Sequence, residues 1–136
     1  MKAKFAALFA CAAGLMISAL PALAHHSFAA EYDASKPVDL KGTVTKVEWT
    51  NPHARFYLDV KGEDGKVTNW NFELASPNVL SRNGWTRHSL KEGDQVEVKG
   101  SMAKDGSNLA NARTVVLADG RKVFAGSATD AEAEKK

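Results

Sequence analysis

Polar and apolar residues alternate with a period of two along much of the chain from Val38 onward, the pattern of strands that bury one face. Leu40, Gly42 and Val44 share one face of a first strand, while Val47 and Trp49 continue it out of phase. That slip predicts a bulge or bend near Thr45-Lys46, and Gly42 fits a strongly coiled segment. Asn51-Pro52 then marks a turn. A second strand, about 54–60, points Phe56, Leu58 and Val60 inward and Arg55, Tyr57 and Asp59 outward. Gly62-Glu63-Asp64-Gly65 is a hairpin connection, and a third strand over 67–74 buries Trp70, Phe72 and Leu74.

After this meander the signals change. Ser76 as N-cap, Pro77 in the first helical position and Gly84 as stop predict a short helix, with Val79 and Leu80 inward and Trp85 packing just beyond. A single further turn is expected over 86–90. Val96 and Val98 lie in phase on a fourth strand that ends or bends at Gly100. Asp105-Gly106 turns into a fifth strand over 112–117, and Asp119-Gly120 into a small one over 122–124. Three strands, a helix and two strands is the order of an OB-type barrel. The expected fold is therefore mainly β: a five-stranded OB-like β-barrel with a short helix between strands 3 and 4. An open β-sandwich or roll with the same meander is the alternative.

The start of the chain does not fit this pattern. Lys2 and Lys4 precede an uncharged run from Phe5 to Leu20, and Pro21-Ala22-Leu23-Ala24 follows. A charged start, an apolar middle and a small-x-small ending predict a signal peptide cleaved after Ala24. The run is short of the roughly 20 residues that span a bilayer, so no transmembrane segment is expected after cleavage. The expected organisation is a signal peptide over 1–24, an N-terminal arm over 25–37, the barrel over 38–125 and a disordered tail over 126–136. The tail holds no large apolar residue. The expected compartment is the periplasm.

Cleavage changes what the composition means. The chain has 18 Lys+Arg against 16 Asp+Glu and a formal charge of +2. Taking away Lys2 and Lys4 leaves 16 of each sign, with no basic stripe of the kind that phosphate backbones demand. Nucleic acid is therefore not an expected partner; a small ligand, a metal ion or a protein is. The only cysteine, Cys11, falls in the leader, which excludes an internal disulfide.

Several segments together resemble a known family. They are His25-His26-Ser27-Phe28-Ala29-Ala30-Glu31-Tyr32-Asp33, then Gly42 through Trp49 to Asn51-Pro52-His53, and Ser76-Pro77-Asn78 with Gly84-Trp85-Thr86-Arg87. Gly93-Asp94 through Gly100 and Lys104-Asp105-Gly106-Ser107 complete the match. This is similar to a family of small exported bacterial proteins known as domain of unknown function 6152. The resemblance implies export and an OB-like barrel, and leaves the activity open. Where the family usually carries an aromatic residue two positions after the Asn-Pro-His histidine, this chain has Arg55, which marks Arg55 as a candidate ligand-surface residue.

The sharpest chemistry lies at the expected mature N-terminus. Cleavage after Ala24 would give His25 a free α-amine beside its imidazole, a chelating nitrogen pair that favours Cu(II) over most divalent ions. His53, on a turn that would reach the barrel rim, is the candidate for a further imidazole; His26 is an alternative donor and His88 a weaker one. The bland reading is that His25 and His26 are polar residues of a loose arm and that His53 shapes its turn by a local hydrogen bond. Trp49 and Trp85 could border a groove, whereas Trp70 lies in phase with Phe72 and Leu74 as core. No Gly-x-Ser-x-Gly or His-Glu-x-x-His motif is present, so no catalytic residues are assigned. The leading expectation is a non-enzymatic periplasmic binding domain that takes copper or another transition metal. The alternative is an accessory protein of an exported or membrane complex that uses the barrel only as an interaction surface.

Overall fold

A computed structural model describes residues 28–126, in two units that divide after Glu31. The described part of the first is a four-residue helix, α1 (Phe28–Glu31). The second holds β1 (Tyr32–Glu48), β2 (Arg55–Lys61), β3 (Val67–Glu73), α2 (Pro77–Arg82), β4 (Gln95–Ala103), β5 (Leu109–Val116) and β6 (Lys122–Phe124). The leader, His25, His26 and residues 127–136 lie outside the described residues. Among the described residues no helix is long and apolar enough to cross a membrane.

The strands are ordered β3-β2-β1-β4-β5-β6, and β3 also pairs with β5. That last pairing is parallel, from Asn71 opposite Leu109 to Glu73 opposite Asn111. It closes β1, β2, β3, β5 and β4 into a ring, with α2 between β3 and β4: the OB-type arrangement that the element order predicts, and not the open sandwich. β1 is long enough to serve both halves of the ring, and Thr43 stands opposite Asp59 of β2 and Gln95 of β4. At this crossing the strands press together. A Cβ on Gly42 would lie 2.2 Å from the Asp59 carbonyl oxygen, so only glycine fits. The predicted bulge is present: the register jumps from Val44 opposite Leu58 to Lys46 opposite Tyr57, passing over Thr45.

The alternation is realised at the centre of the strands, while Leu40, Val60 and Val79, also read as inward, are only partly buried. Phe56, Leu58 and Phe72 are wholly buried, and the Phe56 and Phe72 rings stack at 5.1 Å. Leu80, Val98, Ala110, Ala112 and Val115 complete the centre of the core. Trp70 stacks on Phe72 at 6.2 Å and is only partly buried, at the margin. The helix signals hold as well. Ser76 is extended and its Oγ accepts from the Val79 N–H at 3.4 Å, while Gly84 takes φ +88° and lets the Trp85 N–H reach the Leu80 carbonyl at 3.0 Å. Over 86–90 the chain makes a turn closed by Ser89 N–H donating to the Thr86 carbonyl.

Three boundaries differ from the sequence pattern. β1 begins at Tyr32, ahead of the alternation at Val38, because its register slips between Asp33 and Pro37. There Ser35 donates from both N–H and Oγ to Asp33 Oδ1, and exposed polar residues carry no alternation to read. β4 runs through Gly100 to Ala103. The strand does not end at Gly100 but is irregular there, its register with β5 shifting between Lys99 and Gly100. A Cβ at Gly100 would stand 1.9 Å from the Asn111 carbonyl oxygen, so this glycine lets β5 approach. For the same reason β5 starts at Leu109 and not at Ala112, since its early residues pair with the far end of β4 and with β3. β6 matches the expected strand, and beyond it the Ala75 N–H donates to the Ala125 carbonyl at 2.9 Å.

Candidate functional site

The Asn51-Pro52 turn, whose peptide bond is cis, delivers the chain to β2. Before β2 begins, Ala54 already exchanges backbone hydrogen bonds with the end of β3: its N–H donates to Ala75 at 3.1 Å and its carbonyl accepts from Leu74 at 2.9 Å. His53 is thereby anchored beside Leu74. Its Nδ1 lies 3.0 Å from the Leu74 carbonyl oxygen. A carbonyl can only accept, so Nδ1 carries the hydrogen and the neutral ring keeps its lone pair on Nε2. The side chain is 44% exposed.

Behind the ring sits Glu73, the last residue of β3 and the one buried charged residue among those described. Its Oε1 lies 3.8 Å from His53 Nδ1, and its Oε2 accepts from Arg55 Nη2. Arg55 and Glu73 face each other directly across the β2–β3 ladder, which fixes this pairing by register. Arg55 Nη1 also donates to Asn71 Oδ1 at 3.4 Å. A carboxylate buried this far is costly unless paired and hydrogen-bonded, and Arg55 supplies both. Glu73 carried no signal of its own in the sequence. Counting pairs outward from the Gly62–Gly65 hairpin would have placed it opposite Arg55.

Farther along the outer face, Lys46 Nζ bonds Glu48 Oε1 at 2.6 Å and stands 5.3 Å from the centre of the Tyr57 ring. The hydrogen bond to Lys46 lowers the Glu48 carboxyl pKa, and the same bond raises that of the Lys46 amine. The Tyr57 hydroxyl donates to Glu48 at 3.4 Å.

The other expected residues are dispersed. Trp85 does not border a groove: it is 3% exposed, and its indole N–H donates to the Phe124 carbonyl at 2.7 Å. The residues just past the helix pack down onto the core because the Gly84 stop turns the chain inward. Trp49 is partly buried against the core. Arg55 is engaged with Glu73 and Asn71 rather than presented free to a ligand. His88 lines a cavity of about 220 Å³ with Thr86, Ser89, Lys91, Asp94 and Arg121, formed by segments other than those that hold His53. Asp119 there pairs with Arg121 at 2.7 Å, and the Asp94 carboxylate accepts the backbone N–H of Lys91 at 3.0 Å. Among the described residues no three His, Cys, Asp or Glu side chains gather as a metal site. His25 and His26 lie outside them.

Among curated proteins none matches the chain. Solved structures similar to it include the mitochondrial single-stranded DNA-binding protein Rim1 of S. cerevisiae, 11% identical, covering 60% of this chain and 92% of that one with a TM-score of 0.47. The N-terminal domain of PriB from Thermoanaerobacter tencongensis is 18% identical, over 61% of this chain and 96% of that one, with a TM-score of 0.42. A ZRD-deleted mutant of TiaS in complex with agmatine is 25% identical over 62% of this chain and 22% of that one, with a TM-score of 0.46. A family profile matches residues 12–112, most of the chain and all of β1 to β4. The chain belongs to the family of unknown function DUF6152.

Proposed function

We propose that this protein is an exported, periplasmic binding module that takes a transition-metal ion, Cu(II) first among them. Its donors are the α-amine and imidazole of His25, freed by cleavage after Ala24, and the imidazole Nε2 of His53. The carrying observation is the 3.0 Å approach of His53 Nδ1 to the Leu74 carbonyl. Metal-bound histidines usually donate their second ring N–H in this way, which fixes the tautomer and leaves the other nitrogen basic and outward. Nitrogen donors favour Cu(II) by the ordinary stability order of divalent ions. The balance of charges past the leader supports a small cationic ligand over a polyanion.

The test is calorimetric titration with Cu(II) under a competing chelator, on protein exported from the full chain and purified without an N-terminal tag. His53→Ala and a chain extended by one glycine ahead of His25 should each bind at least ~10-fold more weakly, the loss typical of removing support from a metal site. Equal affinity in all three proteins would overturn the reading. It would leave the module an interaction surface for a protein partner. Fractionation of cells making the untagged chain, with N-terminal sequencing of the periplasmic product, tests export and the cleavage point.

A further inference from the structure

We propose that Glu73, clamped by Arg55, is a positioning residue that selects which nitrogen of His53 stays free. The inference rests on the reading of His53 as a donor, but its first readout is independent of any metal. Two oxygen acceptors converge on Nδ1: the Leu74 carbonyl at 3.0 Å and Glu73 Oε1 at 3.8 Å. With the hydrogen on Nδ1, both are attracted to it. With the hydrogen on Nε2, the Nδ1 lone pair faces a carbonyl dipole and a carboxylate whose side chain is only 10% exposed, although the ring itself is 44% exposed. Lone-pair repulsion from both oxygens therefore disfavours the second tautomer, most strongly on the buried carboxylate side.

Arg55 has its own part. By taking Oε2 it pins the carboxylate to the strand pair, so Oε1 stays beside the ring without replacing the Leu74 carbonyl as its hydrogen-bond partner. The cross-strand register sets the pairing of Arg55 with Glu73, while the backbone bonds of Ala54 set the position of His53. The β2–β3 end therefore acts as a jig for one imidazole.

The experiment is nitrogen-15 NMR of the His53 ring in metal-free protein, at a pH where the imidazole is neutral. The native protein should show the hydrogen on Nδ1. Glu73→Gln keeps the shape and can turn a donating amide toward the ring, so the tautomer with hydrogen on Nε2 should become a major species. Because Glu73→Gln disturbs a buried pair, the double variant Arg55→Leu/Glu73→Leu serves beside it. Replacing a buried ion pair by apolar residues is often neutral for folding, and this variant should also show a mixture of tautomers. Cu(II) affinity should fall ~10-fold in either variant. A single, unchanged Nδ1–H tautomer in both variants would overturn the proposal. Copper binding with an unshifted tautomer would sink the positioning role and leave the metal reading standing. A shifted tautomer in a protein that binds no copper would do the reverse.

Discussion

Replacing Gly100 by alanine should be among the most damaging single-methyl changes this domain can suffer. The added Cβ would stand 1.9 Å from the Asn111 carbonyl oxygen, 2.9 Å from its carbon and 3.1 Å from Ala112 Cα. Carbon and carbonyl oxygen ordinarily approach no closer than about 3.3 Å, so β4 and β5 must part locally by more than 1 Å. All the obstructing atoms are backbone, and no side chain can swing away. Ala110 and Ala112 on the facing strand are wholly buried, which leaves little slack behind them. Overpacking of this kind costs about 1–3 kcal/mol, and two weakened ladder hydrogen bonds add about 0.5–1.5 kcal/mol each. The sum centres near 4 kcal/mol. At roughly 4–8 °C per kcal/mol for a domain of this size, the melting temperature should fall by about 15–30 °C. Gly106→Ala is the control. That residue has φ +76° with nothing within 4 Å of the new methyl, so only backbone strain of about 1–2 kcal/mol applies. Urea unfolding followed by tryptophan fluorescence reads both variants against the native chain. Equal losses at the two glycines would refute the close-approach argument, because they would leave conformational strain as the only cost.

Other consequences follow from single contacts. Trp85→Phe keeps most of the apolar volume but removes the donor to the part-buried Phe124 carbonyl, so urea unfolding should show a loss of about 1–3 kcal/mol. Ser76→Ala removes the acceptor for the Val79 N–H at the start of α2 and should cost about 1 kcal/mol by the same measurement. Acid should destabilise the fold through carboxylates whose pKa values folding lowers: hydrogen bonds from Ser35 lower Asp33, those from Ser107 lower Asp105, and those from Arg121 lower Asp119. A group lowered on folding stabilises above its unfolded value, here 3.8, and loses that contribution as pH falls through the lower folded one. Thermal melts should therefore drop as the pH is taken below about 4, and Asp105→Asn should make that acid limb shallower.

What could be read in advance was local. The phase slip around Thr45, the hairpin at Gly62–Gly65, the Ser76-Pro77 start and Gly84 stop, and the short strand at Lys122 each depend on a few neighbouring residues. Backbone sterics and one-faced burial decide such features before the chain meets itself. The OB-type order of elements came from the same signals, and so did the inward set of Phe56, Leu58 and Phe72. Tertiary structure decided the rest, because the relevant partners are far apart in sequence. Closure depends on the parallel contact of β3 with β5, which leaves no local mark. Gly100 reads as a strand end or bend, and only the Asn111 carbonyl, lying where its side chain would be, shows that the strand continues through a close approach there. Trp85 is core because Phe124 supplies its indole with an acceptor 39 residues away. The candidate site divides in the same way. The sequence alone nominated His53, but only the register that brings Glu73 opposite Arg55, and Leu74 beside the ring, determined which of its nitrogens faces out.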